Sequence, residues 1–246
     1  MQMPDWPYPF WIAHRGAGKL APENTMAAFE RGHSLGWRMA ECDVTLSADD
    51  VPFLLHDPSL ERTTNGRGAA ALQPWSALQL LDAGRWHGER YAGERLLSLE
   101  SLAAWALRAP MAMNLEIKPG PGREADTGRV VARMAAELWR DAPVAPLLSS
   151  FEVSALEAAA EAAAHLPRAL LLQRPARGWT RIAARLRCVA VVFDQRRLDA
   201  ATIAAGHAQG LRVLTYTVND AARARQLQRE GVDGIISDAL DRLGPG

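Results

Sequence analysis

A closed α/β barrel of eight parallel strands, each followed by a helix, is the fold this sequence predicts: a single (β/α)8 TIM barrel. Three observations predict it. Short apolar strand candidates alternate with helical patterns from end to end, the signature of a parallel sheet covered by helices. Eight such repeats fit in 246 residues, a common size for one barrel. Residues that carry chemistry recur where strand candidates end, and strand C-termini form the working face of such barrels. A doubly wound open sheet is the alternative topology.

The strand candidates are Trp11–His14, Met39–Val44, Met111–Ile117, Pro146–Ser150, Arg168–Leu172, Cys188–Phe193, Arg212–Val218 and Gly234–Ser237. Asn24 is the expected N-cap of the first helix, which carries Met26 and Phe29 and is followed by Gly36. Ser98 caps a helix with Leu99, Leu102 and Ala106 inward. Val130, Met134 and Leu138 recur at i, i+4, i+8; Val153, Leu156 and Ala160 form the next stripe. Trp179, Ile182, Ala183 and Leu186 follow the i, i+3, i+4, i+7 pattern. Asp199 with Gly210, and Asp220 with Gly231, bracket two more helices. The exception to the regular alternation is an insertion at about 63–96, with a short helix led by Pro74. No linker or low-complexity tract divides the chain, so residues 1–246 read as one domain.

Composition removes several function classes. The formal net charge is zero, so no global field recruits nucleic acid or an anionic membrane. No run of 18 apolar residues exists, and the start lacks the basic and apolar regions of a signal peptide. The aromatics Trp6, Tyr8, Phe10 and Trp11 near that start are expected to plug the base of the fold. The two cysteines, Cys42 and Cys188, have no metal-ligand spacing and read as buried thiols of a reducing compartment. A cytoplasmic protein acting on a small molecule, with no nucleic-acid partner and no stable membrane association, is the expectation. Oligomeric state is not legible.

The chemistry centres on Glu41–Asp57. Glu41 and Asp43 are two apart on a strand and share a face. The polar turn at 47–50 is too short for a parallel crossover. The segment Phe53–His56 should therefore return antiparallel and bring His56 beside the acids. Asn114, Glu116 and Lys118 alternate at the end of the third strand, and His14-Arg15 ends the first. Three carboxylates, Glu41, Asp43 and Glu116, suit one hard divalent cation, Mg²⁺ or Ca²⁺. Arg15 and Lys118 suit a phosphate. His14 and His56 suit proton transfer at neutral pH, His14 as base and His56 as acid. The implied reaction is metal-assisted phosphodiester cleavage.

Several stretches together resemble the glycerophosphodiester phosphodiesterase family. They are His14-Arg-Gly with Ala21-Pro-Glu-Asn-Thr25, Glu41-Cys-Asp-Val with Leu55-His-Asp57, Glu61-Arg-Thr-Thr-Asn-Gly66, Asn114-Leu-Glu-Ile-Lys118, Ser149-Ser-Phe151, Tyr216-Thr-Val-Asn219 and Ile236-Ser-Asp238. Trp6-Pro-Tyr-Pro and Gly18-Lys19 resemble in particular the cytosolic enzymes of bacterial glycerol-phosphate uptake. The resemblance implies a (β/α)8 barrel that hydrolyses glycerophosphodiesters to sn-glycerol 3-phosphate and an alcohol. It implies Glu41, Asp43 and Glu116 as metal ligands, His14 and His56 as the acid/base pair, and Arg15 and Lys118 as phosphate contacts. Phe151 is either core or a wall of the substrate pocket. Tyr216, where many relatives carry Trp, bears on the shape of the glycerol pocket, and Ser237 stands where Thr is usual. Asp194 and Asp238 are expected to serve structural hydrogen bonds, and Glu23 to hold Arg15 or Lys118. His33, His87, His165 and His207 are expected on the surface or at helix ends. A lysophospholipase-D-like activity, needing an apolar groove lined by the Trp75–Trp86 region, and a non-catalytic phosphoglycerol-binding barrel are the alternatives.

Overall fold

The computed structural model describes residues 5–245. Its nine strands are β1 (Trp11–Ala13), β2 (Met39–Leu46), β3 (Pro52–Leu54), β4 (Ala112–Ile117), β5 (Leu147–Ser150), β6 (Arg168–Leu172), β7 (Ala190–Asp194), β8 (Arg212–Tyr216) and β9 (Gly234–Ser237). All but β3 are parallel, and β1 pairs with both β2 and β9, which closes an eight-stranded barrel. The helices are α1 (Met26–Ser34), α2 (Trp75–Leu78), α3 (Leu99–Arg108), α4 (Glu124–Leu138), α5 (Val153–Ala162), α6 (Trp179–Arg185), α7 (Ala200–Ala208) and α8 (Ala221–Glu230). Among the described residues β9 is followed by turns, so helices follow seven of the eight barrel strands rather than all.

The strands are buried on both faces, which is why they read as near-continuous apolar runs. Along β2, Met39 points into the barrel interior, with Ile12, Leu147 and Leu214. Ala40, Cys42 and Val44 point outward against the helix layer with Phe29 and Leu102. Each fully buried Leu or Phe contributes about 1.5–3 kcal/mol by leaving water. Tyr8 joins the interior cluster and donates its hydroxyl hydrogen to the Ala145 carbonyl at 2.8 Å. Trp6 packs edge-on against it, with ring centroids 4.8 Å apart. Trp6 and Tyr8 thus plug the barrel as expected, whereas Phe10 and Trp11 pack against the outer layer; Met1–Pro4 lie outside the described residues.

Capping signals place most helix starts. Ser98, Asp199 and Asp220 each accept a backbone N–H of the first turn, and Gly231 ends α8 at φ 93°. The expectation fails at α1. Thr25, not Asn24, is its N-cap and accepts from Ala28 N. Asn24 has φ 59° and spends its side chain elsewhere.

The hairpin after β2 forms with antiparallel register Val44–Leu54, Thr45–Phe53 and Leu46–Pro52. That pairing extends β2 two residues beyond its expected end. The insertion packs its own small core of Phe53, Leu60, Leu78 and Leu96 against the hairpin. Trp75 stacks on Phe53 at 5.6 Å, so it serves packing rather than a groove.

Candidate active site

Strand register assembles the site. Glu41 lies beside Asn114, and Asp43 beside Glu116, which in turn neighbours Ser149 on β5. With period-two alternation these side chains face the barrel axis at its C-terminal end. Glu41, Asp43 and Glu116 each offer an oxygen within 4.8 Å of the others. Arg15, at φ 51° in the turn after β1, donates its backbone N–H to Glu41 Oε2 at 3.1 Å. Its Nε lies 3.3 Å from Asp43 Oδ2, and its Nη1 donates to Glu23 Oε1 at 2.8 Å. Glu23 therefore holds Arg15, one of the two partners expected for it. Lys118 Nζ lies 3.6 Å from Asp43 Oδ1 and 3.4 Å from Glu116 Oε1.

Three clustered carboxylates face two fixed cations, and the deficit shows in their protonation. Burial first, then the charges of Asp43 and Glu116, push Glu41 well above the usual carboxylate range. Burial and then Asp43 lift Glu116 to about 7. Burial would raise Asp43 too, but Arg15, His56 and Lys118 outweigh it and hold it low. Glu41 Oε1 is buried with no hydrogen-bond partner in the structure. A buried acceptor without a partner is costly. A hard cation among these oxygens removes that cost, so the donor set fits one divalent ion.

The histidines stand at the edge of this cluster. His14 Nδ1 lies 2.5 Å from Asp238 Oδ1, and its Nε2 lies 3.8 Å from Glu41 Oε2. Burial alone would raise Asp238, but the hydrogen bond and charge of His14 hold it below the usual range. His56 sits just past β3, because Leu55 N still donates to Asp43 O at 3.1 Å. Its Nδ1 lies 2.7 Å from Asp57 Oδ1. Burial depresses the His56 imidazole, against the opposing pull of Asp43. Arg62 bridges Asp57 to Glu23, donating Nε to Asp57 Oδ2 at 2.5 Å and Nη1 to Glu23 Oε2 at 2.8 Å. One polar chain thus runs His56–Asp57–Arg62–Glu23–Arg15.

Phe151 and Tyr216 line a central pocket of about 170 Å³ with His14, His56, Glu116 and Lys118. Their rings meet edge to face at 5.8 Å. Phe151 is 37% exposed, so it is a wall and not core. All nine residues expected from sequence therefore gather at one barrel mouth.

Comparison with known proteins agrees with this geometry. The model of the glycerophosphoryl diester phosphodiesterase family matches residues 14–242. The chain belongs to that family. A glycerophosphodiester phosphodiesterase of Caldanaerobacter subterraneus is 31% identical over 236 residues, covering 94% of this chain and 95% of the relative. The Bacillus subtilis protein YhdW is 32% identical over 237 residues, with 94% of each chain covered. An Oleispira antarctica phosphodiesterase, solved with its product sn-glycerol-3-phosphate, superposes with a TM-score of 0.89 at 32% identity, covering 95% of this chain and 94% of that one.

Four contributors in this family member, Asn24, Asp57, Arg62 and Asn219, escaped the sequence reading. Asn24 donates Nδ2 to Asp43 Oδ2 at 2.9 Å and accepts Asp43 N–H at 3.3 Å, which fixes that carboxylate. Asp57 and Arg62 orient His56. Asp238 does serve hydrogen bonds, as expected, but its partner is the expected base; Asn219 Nδ2 donates to its other oxygen at 3.0 Å. Asp194 binds Arg196 through both oxygens, a structural role as expected. His207 sits in the last turn of α7, a helix end as expected. It pairs with Asp233 at 2.8 Å and is half-buried. Both cysteines are buried and free.

Proposed function

We propose that this chain, as one barrel domain, hydrolyses glycerophosphodiesters to sn-glycerol 3-phosphate and an alcohol, with Glu41, Asp43 and Glu116 holding one divalent cation, Mg²⁺ ahead of Ca²⁺. The carrying observation is two carboxylate-backed histidines beside a three-carboxylate cluster that two fixed cations flank. The product complex of the Oleispira relative supports the choice of substrate.

When bound, the cation supplies Lewis-acid stabilisation of phosphoryl charge and lowers the pKa of a coordinated hydroxyl or water. The protein's own residues do the rest. Arg15 and Lys118 hold the non-bridging oxygens and stabilise the charge that grows on them. Asp238 takes the Nδ1 hydrogen of His14, which leaves Nε2 free to accept the proton of the attacking hydroxyl. Asp57 takes the Nδ1 hydrogen of His56, so its Nε2 hydrogen is available to the departing alkoxide. Its depressed pKa makes His56 a stronger acid. The P–O bond to the alcohol breaks as that proton moves, and the alcohol leaves neutral. The attacking hydroxyl belongs to water or to C2 of the substrate's glycerol; the second route passes through a cyclic phosphate that water then opens. Phe151 and Tyr216 wall the glycerol moiety.

Glycerophosphocholine hydrolysis, followed through release of glycerol 3-phosphate, tests the reading. Activity abolished by EDTA and restored by Mg²⁺ is expected. Binding of glycerol 3-phosphate without turnover of any glycerophosphodiester would instead make this a phosphoglycerol-binding barrel. A cytoplasmic site of action is part of the proposal; no described helix is long and apolar enough to cross a membrane.

A further inference from the structure

Arg62 stands between two groups that the reaction must hold in register. It lies in the turn after β3, and its base is firmly set. Leu60 is fully buried in the small core of the insertion, and Thr64 donates its hydroxyl hydrogen to the Leu60 carbonyl at 2.7 Å. From this base the guanidinium reaches two carboxylates. Nε and Nη2 donate to Asp57 Oδ2 and Oδ1 at 2.5 and 3.0 Å. Nη1 and Nη2 donate to Glu23 Oε2 and Oε1, each at 2.8 Å. Both contacts are bidentate, so the planar fork fixes each carboxylate in direction as well as distance. Each carboxylate then holds a working group. Asp57 Oδ1 meets His56 Nδ1 at 2.7 Å, and Glu23 Oε1 accepts from Arg15 Nη1 at 2.8 Å.

Stability does not account for this arrangement. The Arg62 side chain is 42% exposed, and exposed ion pairs contribute little to folding. The loop that carries Arg15 and Glu23 is also tied to the insertion without Arg62. Tyr91 donates its hydroxyl hydrogen to Leu20 O at 3.0 Å, and Ala27 N donates to Glu94 Oε2 at 3.4 Å. Among the described residues, Arg62 alone bonds both Asp57 and Glu23. Arg15 follows β1 and His56 follows β3, so nothing in the local chain sets their separation. Yet both work on one phosphorus, His56 at the departing oxygen and Arg15 at a non-bridging one. An error of about 1 Å between such groups costs about 10²-fold in rate.

We propose that Arg62 is a positioning residue that sets the separation of the acid His56 from the phosphate clamp Arg15, acting on one through Asp57 and on the other through Glu23. The proposal rests on the phosphodiesterase reading above. It is tested by kcat/KM of Arg62→Met for two glycerophosphodiesters, one of choline and one of nitrophenol, with thermal melts of every variant. The choline ester needs both arms, and its kcat/KM should fall about 10²-fold. The nitrophenyl ester needs no acid, yet its kcat/KM should still fall about tenfold, because Arg15 loses its register. In a Glu23→Gln background the same substitution should leave the nitrophenyl value unmoved, since Glu23 is the route from Arg62 to Arg15. Arg62→Lys keeps the charge but not the fork. It should behave as Arg62→Met, and it carries the same comparison should the methionine variant not fold. A wild-type nitrophenyl value in the folded variant overturns the proposal, because Arg62 then serves His56 alone. Equal losses with both esters overturn it too, because Arg62 then serves Arg15 alone. Wild-type values in Arg62→Lys would show that charge suffices without geometry, and would also overturn it. Failure of wild type to cleave either ester would overturn the activity itself, and this role with it.

Discussion

Replacing Glu116 by Gln should make the metal-free protein more stable while removing its capacity for metal. Burial, and then the neighbouring Asp43 charge, lift the Glu116 carboxyl from 4.5 to about 7. A folded-state value above the unfolded one means that the folded protein keeps a proton the unfolded chain releases. The favourable contribution is therefore full below the unfolded value and is lost as pH rises through about 7. At about 1.4 kcal/mol per unit, ionised Glu116 costs roughly 3 kcal/mol at pH 8 and under about 1 kcal/mol at pH 5. Gln carries no charge and escapes that cost. For a chain of this size the gain corresponds to a Tm increase of about 6–12 °C in EDTA at pH 8, and to little at pH 5. Calorimetry in EDTA at both pH values measures it. A repeat with millimolar Mg²⁺ should raise the wild-type Tm at pH 8 and leave the variant nearly unmoved, because a ligand stabilises only the state that binds it. A variant that melts at or below wild type in EDTA at pH 8 would refute the picture of carboxylates held together against their own repulsion.

Three further outcomes follow from the site. Asp238→Asn should lower kcat by about 10²- to 10⁴-fold with KM little changed, because His14 loses the partner that sets its tautomer; loss confined to KM would contradict an orienting role. Lys118→Ala should lower kcat/KM by roughly two orders of magnitude, whereas unaltered kinetics would put its ammonium outside the phosphate site. His56→Ala should be far less damaging with a nitrophenolate leaving group, which needs no proton, than with a choline ester. Equal losses with both substrates would exclude His56 as the acid, and the same pair of assays on His14→Ala should show equal damage.

What the sequence made legible is what repeats at a fixed period. Alternation put Glu41 with Asp43 and Asn114 with Glu116 and Lys118, and the rule about strand C-termini gathered them before any contact was known. Turn length alone returned His56 to the acids. The partners that orient these groups were harder to see, because each is fixed by tertiary register and not by local spacing. Arg62 reaches Glu23 across 39 residues. Asn24 looked like a helix cap, since Asn is a favoured one, yet Thr25 follows it and caps as well. That freed Asn24 to brace Asp43. For Asp238 a signal did exist: it directly follows a barrel strand, where such residues carry function.

The pairing of His14 with Asp238 joins positions 224 apart. Gly18 tightens the same junction. A Cβ there would fall 2.3 Å from the Asp238 backbone, and Lys19 N donates to Asp238 O at 3.2 Å. His14, the proposed base, is thus set by the barrel's β9, although it follows β1. A nascent chain can carry all three clustered carboxylates, both histidines and both flanking cations while His14, the proposed base, still points nowhere in particular. Such long loop closure is slow relative to local helix formation. Hydrolytic competence should therefore arrive in one step, when β9 pairs with β1 and closes the ring.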